Sequence, residues 1–363
     1  MKETYITGLK PGNSVSTTFL VRTMERKTAR NGSAYLDLEL QDSTGTVKAK
    51  LWDCDSAALH FEADDVVRVA AGVEVYQGNL QLSLRKIVKC RDAEIELSDY
   101  LPHSNQNSAE LFENLLKRIQ QMPPGPLQTL LLKVFNDPEI ARKYKLAPAA
   151  MSYHHAFLGG LIEHVSSLVR LGDRVCDHYP FLDRSLILAG LLLHDLGKIE
   201  ELNFSRGFTY STRGQLVGHI SMGVEMVRDK VRLIPDFPPS LWDRLEHVIL
   251  SHHGKLEFGS PKEPMFMEAF VVNYLDDMDS KLEAMREQYE TDKDRPGDFT
   301  ARSRPLGREL LKPFPEPAQP AAAAPAAPEA AQPAQEAAPP AAAPAAAEPA
   351  QQTPPTEEKK EEK

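Results

Sequence analysis

The chain has 363 residues, a net charge of −10 at pH 7 and 42% hydrophobic residues, which is enough apolar material for the cores of two domains. It contains neither an uncharged apolar run long enough to span a membrane nor the basic-then-apolar pattern of a signal peptide, and its acidic total argues against a general attraction to nucleic acid. The three cysteines, Cys54, Cys90 and Cys176, form no CxxC motif, so we expect reduced thiols in a cytoplasmic protein.

The first 100 residues alternate between apolar and polar side chains in short runs, a pattern that predicts β-strands. Five such runs, separated by turn sequences, lie at 14–27, 34–42, 47–53, 66–76 and 80–90. A short helical pattern at 54–65 lies between the third run and the fourth. Five strands with a helix in this place are typical of an OB-fold barrel. We therefore predict an all-β OB-fold domain over residues 1–100.

OB-fold barrels commonly bind single strands across their second and third strands and the adjoining loops. The candidate nucleic-acid contacts in this region are Arg26, Lys27, Arg30, Lys48, Lys50 and Tyr76. Lys48 and Lys50 alternate on the third predicted strand and therefore share a face, while Tyr35 and Trp52 offer further stacking surfaces. Residues 1–91 carry thirteen Lys and Arg against eleven Asp and Glu. Because this excess is small, the alternative is that the aromatics belong to the core and the charges to a solvated face.

From about residue 105 the pattern changes to apolar residues at three- and four-residue spacing, which predicts helices. Eight helical patterns lie at 108–122, 124–137, 138–146, 156–179, 183–197, 218–234, 239–254 and 268–290. The exception is FSRGFTYSTRGQL at 204–216, whose aromatic and hydroxyl residues predict a small hairpin. We therefore predict an all-α helical bundle over residues 105–290.

The last segment, residues 313–363, is rich in proline and alanine and carries eight Glu against three Lys. Proline removes helical hydrogen bonds, and alanine offers little area to bury. The composition therefore predicts a disordered acidic tail, which serves either as a solubilising spacer or as a partner-binding segment.

Nine of the eleven histidines lie between residues 154 and 253, and neutral imidazole is the commonest metal ligand in proteins. His164 lies on an apolar helix face, and His194 ends an apolar run, where an unpaired polar ring would cost about 1–3 kcal/mol. A metal would supply the missing partner. Taken alone, His164 or His219 is more often a structural histidine, so the metal hypothesis depends on their occurring together.

The stretch HDLGK at 194–198 places His194 next to Asp195 at the end of a predicted helix. Neighbouring helical residues diverge by about 100°. Both side chains can therefore reach one point only where the helix loosens, here at Gly197. Alternatively, the carboxylate bridges two neighbouring metals.

Two more groups of ligand types follow along the chain. His252 and His253 form a second adjacent pair, again followed by a glycine. On the last predicted helix Asp276 and Asp279 lie three residues apart and share a face, whereas Asp277 points elsewhere and is solvated.

In chain order these groups are a histidine, a His–Asp pair, a histidine, a His–His pair and an aspartate. The sequence thereby resembles the HD superfamily of metal-dependent phosphohydrolases. The motifs HHAFLGGLIEH, GLLLHDLGKIEEL, YSTRGQLVGHISMG, LSHHGKLEFGSPKEPMFMEA and YLDDMDSK also resemble those of YhaM-type 3′→5′ exoribonucleases, which carry an OB-fold domain before the HD domain. The resemblance covers residues 5–290. It implies a helical HD bundle and an enzyme that hydrolyses single-stranded RNA, with single-stranded DNA as an alternative substrate, to nucleoside monophosphates.

The resemblance also implies two divalent metal ions per chain, with manganese favoured over magnesium, iron and zinc. The implied ligands are His164, His194, Asp195 and Asp276 for one ion and Asp195, His219, His252 and His253 for the other. Asp195 would bridge the ions, and Lys198 would neutralise charge that develops on a phosphate oxygen. The alternative for Lys198 is an interaction with the dipole of a helix C-terminus. His155 and Arg213 are predicted to face the scissile nucleotide.

The sequence leaves two other functions open. One is an HD phosphohydrolase that acts on free or cyclic nucleotides, and the other is a catalytically inactive OB-fold nucleic-acid-binding protein. The GYP tripeptide typical of one cyclic-dinucleotide branch is absent from the sequence, and every ligand type is retained. Both observations favour the exonuclease, while the sequence leaves the oligomeric state open.

Overall fold

The computed structural model describes residues 2, 4–29, 32–52, 60–91, 94–151, 155–204 and 207–313. Residues 1–313 form one compact unit. Three predictions fall wholly or mostly outside the described residues: the tail at 313–363, the nucleic-acid contact Arg30, and the first half of the helix at 54–65.

The N-terminal part is a closed five-stranded barrel in the strand order β1-β2-β3-β5-β4. Its strands are β1 (Ser14–Thr28), β2 (Ala34–Asp42), β3 (Gly45–Trp52), β4 (Val66–Tyr76) and β5 (Asn79–Lys89). β1 pairs antiparallel with both β2 and β4, and β3 closes the barrel by pairing parallel with β5. This is the predicted OB-fold barrel. The described end of the predicted helix, residues 60–65, forms a turn and not a helix.

Strand β1 is long enough to pair with two neighbours, β2 and β4, which allows the sheet to curve into a barrel. In β1 the pairing register with β2 shifts between Val21 and Thr23, which marks a bulge. Inward-facing apolar residues such as Phe19, Leu38 and Leu82 are fully buried and fill the interior. The alternation that predicted the strands therefore also separates the packed side of the barrel from its outer face.

The second part is a helical bundle with one short hairpin. Its helices are α1 (Ser108–Gln120), α2 (Pro126–Phe135), α3 (Pro138–Leu146), α4 (Gly160–His178), α5 (Arg184–Leu193), α6 (Lys198–Glu201), α7 (Thr212–Val217), α8 (His219–Val231), α9 (Pro239–Ser251) and α10 (Met267–Thr291). The eight predicted helices are present: six have tighter bounds, α3 has the predicted bounds, and α10 is one residue longer at each end. Helices α6 and α7 are additional. The predicted hairpin at 204–216 is only partly correct. The observed hairpin consists of β6 (Leu202–Asn203) and β7 (Thr209–Tyr210), and the second half of the predicted segment forms helix α7.

Helix α5 is the centre of the bundle. All of its residues from Leu186 to Leu193 are buried, and it packs against α4, α9 and α10. A helix that is apolar all round can lie only in a core. Its C-terminus therefore delivers the next residues, His194 and Asp195, into the interior of the bundle.

A small apolar cluster connects the barrel to the bundle. Leu20 and Val66 of the barrel pack in one cluster with Tyr100, Leu101 and Leu158. The predicted domain limits at residues 100 and 105 fall in this connecting segment. None of the described helices is both long and apolar enough to cross a membrane.

Candidate metal centre

The side chains predicted as metal ligands converge from five helices or helix ends. They are His164 on α4, His194 and Asp195 after α5, His219 at the start of α8, His252 and His253 after α9, and Asp276 on α10. Three of them form one group, in which the His164 Nε2 atom lies 3.2 Å and the His194 Nε2 atom 3.8 Å from Asp276 Oδ1. One ligand atom from each of the three lies within 4.8 Å of the other two.

A second group of three is formed entirely by imidazoles. One ring nitrogen each from His219, His252 and His253 lies within 4.8 Å of the other two. The ring centroids of His252 and His253 are 4.3 Å apart, and that of His219 is 5.7 Å and 5.2 Å from them. The two adjacent histidines thus reach the same point, as the helix end before Gly254 predicted.

The carboxylate of Asp195 lies between the two groups. Its Oδ2 atom is 3.3 Å from His194 Nε2, whereas its Oδ1 atom is 3.5 Å from His219 Nε2 and 3.6 Å from His252 Nε2. One oxygen therefore faces each group, which is the arrangement expected of a carboxylate that bridges two ions.

All five histidines are oriented through their Nδ1 atoms. In three of them Nδ1 donates to a backbone carbonyl, namely His194 to Leu191 at 3.0 Å, His252 to Ile249 at 2.7 Å and His253 to Phe258 at 3.1 Å. Carbonyl oxygens only accept hydrogen bonds, so the proton of the neutral ring is on Nδ1. The Nε2 lone pair of each ring is left for a ligand.

The other two histidines donate to carboxylates. His164 Nδ1 lies 2.8 Å from Asp279 Oδ2, and His219 Nδ1 lies 3.1 Å from Glu201 Oε1. Glu201 also accepts from the His219 backbone N–H at 2.9 Å, and Asp279 accepts from the Ser167 hydroxyl at 2.7 Å. Carboxylates in this position fix the ring and raise its basicity as a ligand.

The buried atoms at the centre fit a divalent cation. The Nε2 atoms of His194, His219 and His252 and the Oδ1 atom of Asp195 are buried with no hydrogen-bond partner among the described residues. Leaving such a group unpaired costs about 1–3 kcal/mol. Four unpaired acceptors that face a common centre make a donor set of imidazole and carboxylate, which first-row transition metals prefer.

Three of the ligands, His252, His253 and Asp195, already have the charge state that a metal ligand needs. Burial lowers the pKa of His252 and of His253 below the ordinary value, so both rings are neutral at pH 7. Burial would raise the pKa of Asp195, but the charge of Lys198 holds it well below the ordinary value, so this carboxylate is ionised. His164 differs, because burial would lower its pKa but two neighbouring aspartates outweigh burial and raise it to about 9 in the metal-free protein. A metal ion bound here would displace a proton from this ring.

Two glycines let the polypeptide approach closely enough to build this centre. A Cβ atom on Gly197 would lie 2.0 Å from the backbone oxygen of His219, so only glycine lets the turn after α5 pack against the start of α8. Gly254 has φ +78°, the left-handed conformation that ends a helix, and a Cβ there would lie 2.6 Å from Asn273. Asn273 donates to the His252 carbonyl at 2.7 Å and so fixes the second histidine pair.

A cavity of about 320 Å³ opens onto the centre. His164, Lys198, His252, His253 and Asp276 are among its lining residues. The Lys198 ammonium lies 2.6 Å from Asp195 Oδ2. Burial would lower the pKa of Lys198, but the Asp195 charge raises it. The lysine is therefore a charged group next to the bridging carboxylate.

The structure places two predicted contacts to the scissile nucleotide elsewhere. The His155 side chain is buried, with Nε2 3.7 Å from Asp279 Oδ2, and does not line the cavity. Arg213 forms an ion pair with Glu225 and does not line it either. The backbone at His155 is closely packed, because a Cβ atom on Gly160 would lie 2.0 Å from the His155 backbone oxygen.

Sequence reasoning did not identify the orienting carboxylates. The sequence shows only that Asp279 shares a helix face with Asp276. The three-residue spacing on α10 was the available signal for Asp279, because such residues are neighbours on a helix surface. Glu201 is 18 residues from His219, and the sequence contains no signal for that contact.

On the barrel the predicted contacts that the structure describes lie on β1, β3 and β4, and two of them are ion-paired. Lys27 lies 2.6 Å from Asp37, and Lys48 lies 3.6 Å from Glu39. Arg26 is exposed on β1. These contacts therefore do not form a simple basic patch.

Lys50 instead lies among aromatic rings. Its ammonium is 5.3 Å from the ring centroid of Tyr35, 5.7 Å from that of Trp52 and 5.1 Å from that of Tyr76. Trp52 and Tyr76 are 43% and 54% exposed. The alternative that the aromatics belong to the core is therefore wrong for these two residues.

Comparison with known proteins identifies both parts of the chain. The HD domain family matches residues 161–281, a range that contains all seven predicted ligands, and the OB-fold nucleic acid binding domain family matches residues 18–89. The curated protein 3′-5′ exoribonuclease YhaM of Bacillus velezensis is 37% identical over 306 residues, which are 83% of this chain and 96% of that protein. The chain belongs to the YhaM family.

Other members of the YhaM family match to a similar extent. The protein of the same name from Bacillus subtilis is 36% identical over 83% of this chain and 96% of its own length, and that from Listeria innocua is 36% identical over 80% and 92%. The HD domain implies dependence on a divalent metal, and the histidine and aspartate groups described above are the residues that could bind it.

Proposed function

We propose that this protein is a metal-dependent exoribonuclease that releases nucleoside monophosphates from the 3′ end of single-stranded RNA. The observation that carries the proposal is the position of Asp195, with one oxygen toward each of two ligand groups whose buried nitrogens lack protein partners. Two adjacent cation sites are typical of enzymes that cleave phosphodiesters. The curated relatives are named for this activity.

We propose two ions per chain, manganese before magnesium, with iron and zinc as alternatives. The proposed ligands are His164, His194 and Asp276 on one side, His219, His252 and His253 on the other, and Asp195 between them. When bound, such ions lower the pKa of water and neutralise charge on phosphate oxygens.

Lys198 is the residue of the chain that would contact the phosphate directly. Lys198, only 13% exposed, adds a fixed positive charge beside Asp195, where a phosphate that enters the cavity would meet it. A charge in a partly buried site is screened less than one on the surface. Lys198 therefore both keeps Asp195 ionised and offers its ammonium to the phosphate.

The size of the cavity favours cleavage at an end of the strand. About 320 Å³ is at the lower limit of pockets that hold small ligands. A space of this size can hold one nucleotide, which fits removal of nucleotides one at a time from an end. Phe258 and Ala284 supply apolar lining for a base, and Asn273 supplies an amide.

The barrel would hold the strand by stacking more than by charge. Trp52 and Tyr76 are exposed beside Lys50, whereas Lys27 and Lys48 are already paired with carboxylates. Stacking of a base on an aromatic side chain is worth about 1–3 kcal/mol and tolerates any base sequence. We propose single-stranded RNA as the partner, with single-stranded DNA as the alternative, in the cytoplasm.

The test is hydrolysis of a 5′-labelled single-stranded oligoribonucleotide by the purified full-length protein, with Mn²⁺ and with excess chelator. We expect a ladder that shortens from the 3′ end, release of mononucleotides and no hydrolysis in chelator. Elemental analysis should give two ions per chain. Full activity in chelator would refute the metal-dependent mechanism, and hydrolysis of free nucleotides without attack on RNA would favour the alternative phosphohydrolase.

A further inference from the structure

The segment after α10 folds into a hairpin over residues 298–312. Within it the backbone N–H groups of Thr300, Ser303 and Lys312 donate to the carbonyls of Leu310, Arg308 and Asp298, at 2.9, 2.8 and 2.8 Å. Thr300 and Ser303 are 1% exposed. The sequence predicted neither this hairpin nor any function for residues 291–312.

The hairpin is attached to the helix that carries Asp276. Asp292, next to the C-terminus of α10, accepts from the Ala301 backbone N–H at 2.6 Å and from the Gln288 amide at 2.8 Å. The Thr300 hydroxyl accepts from the Leu310 backbone N–H at 3.1 Å. The hairpin therefore has a defined position relative to α10.

The tip of the hairpin lines the cavity that opens onto the metal centre. Pro305 and Leu306 line the same cavity of about 320 Å³ as His164, Lys198 and His252. The chain reverses at Gly307, which has φ +66°. A ligand in this cavity would contact the hairpin.

Each of the two lysines that line the cavity forms an ion pair with a carboxylate. Lys198 lies 2.6 Å from Asp195, and Lys281 lies 2.6 Å from Asp277. Lys198 and the proposed metal ions act on the scissile phosphate, so the neighbouring phosphates of a bound strand need positive charge from another segment.

The hairpin carries such charge on both sides of its tip. The sequence RSRPLGR at 302–308 holds three arginines and no acidic residue, in a chain of net charge −10. Arg302, Arg304 and Arg308 are exposed, and none of them forms an ion pair within the described part of the chain. The planar guanidinium group matches a phosphate with two parallel hydrogen bonds.

We propose that the hairpin over residues 298–312 is a binding element for the 3′ end of the substrate. Arg302, Arg304 and Arg308 bind backbone phosphates next to the scissile bond, and Pro305 and Leu306 contact the terminal nucleoside in the cavity. This inference rests on the proposed exoribonuclease function and extends it, because it assigns phosphate binding to a segment outside the barrel and the HD motifs.

The test measures binding of a single-stranded oligoribonucleotide by the full-length protein. The oligoribonucleotide carries a non-hydrolysable 3′-terminal linkage, and binding is monitored by fluorescence anisotropy at several salt concentrations. The variant carries Arg302→Gln, Arg304→Gln and Arg308→Gln. We expect Kd to rise at least tenfold. The slope of log K against log[salt] should fall by about 2, since each phosphate contact to a single strand contributes about 0.7.

The matched control removes the same charge elsewhere. It carries Arg142→Gln, Arg170→Gln and Arg244→Gln, three exposed arginines that do not line the cavity. We expect its Kd to change less than twofold. Thermal melting checks that both variants are folded, and if the triple hairpin variant is unfolded, Arg304→Gln alone should lower the slope by about 0.7.

The outcomes separate the two proposals. If the unmodified protein neither binds nor degrades single-stranded RNA, the proposed function itself fails. If the unmodified protein degrades RNA while the hairpin and control variants share one Kd and one salt slope, the hairpin inference is overturned and the proposed function stands.

Discussion

Replacement of Asp279 tests whether a neighbouring carboxylate orients the metal ligand His164. Asp279 contacts His164 but does not belong to either ligand group around Asp195. Its Oδ2 atom accepts from His164 Nδ1 at 2.8 Å, and its Oδ1 atom accepts from the Ser167 hydroxyl at 2.7 Å. The Asp279 side chain is 13% exposed, so water cannot readily replace it.

The magnitude follows from these contacts. Loss of an outer carboxylate typically weakens metal binding by 10- to 100-fold. Asp279→Asn keeps an acceptor for the His164 ring but removes the charge, so we expect about tenfold weaker binding, or about 1.4 kcal/mol. Asp279→Ala removes acceptor and charge together, and we expect an effect toward 100-fold.

The assay is calorimetric titration of Mn²⁺ into the metal-free protein, which measures affinity without requiring turnover. The control is Asp277→Asn, the same substitution on the same helix. The Asp277 carboxylate is 43% exposed and pairs with Lys281 and not with a histidine. Equal Mn²⁺ affinity in Asp279→Asn, Asp277→Asn and the unmodified protein would refute the orienting role of Asp279.

Three further predictions concern the bridging aspartate, the protonation of His164 and the aromatic side chains of the barrel. Asp195→Ala should abolish hydrolysis of labelled RNA. His247→Ala should retain most of the turnover, because the His247 ring accepts from a backbone N–H and lies outside both ligand groups. Equal loss of activity in the two folded variants would contradict the ligand assignment. In the metal-free protein the free energy of unfolding should fall between pH 6.5 and 9. The pKa of His164 is raised to about 9 on folding, so its stabilisation is complete below 6.5 and is lost as its proton leaves; denaturant titrations should show no such decline in His164→Gln. Trp52→Ala should weaken binding of single-stranded RNA by about 1–3 kcal/mol with little change in salt slope, and a changed slope with unchanged affinity would argue for charge over stacking.

The sequence alone was sufficient for the fold class and for the ligand types. Strand alternation and helical spacing are local patterns, and each reports which side of an element is buried. The apolar run before His194 predicted a buried helix end, and the structure has α5 in the core with His194 and Asp195 at its C-terminus. The ligand set was readable because histidines and aspartates occur on successive helices in an order that resembles the HD superfamily.

Only the tertiary structure decided how these residues work together. The contact between His164 and Asp279 spans 115 residues, and that between His219 and Glu201 spans 18. Which ring nitrogen faces the centre depends on such partners, and these are set by how helices pack and not by local spacing. Packing likewise buried His155 away from the cavity. It also placed the tip of a hairpin beyond α10 against the cavity, because only the folded chain brings residues so distant in sequence to one point.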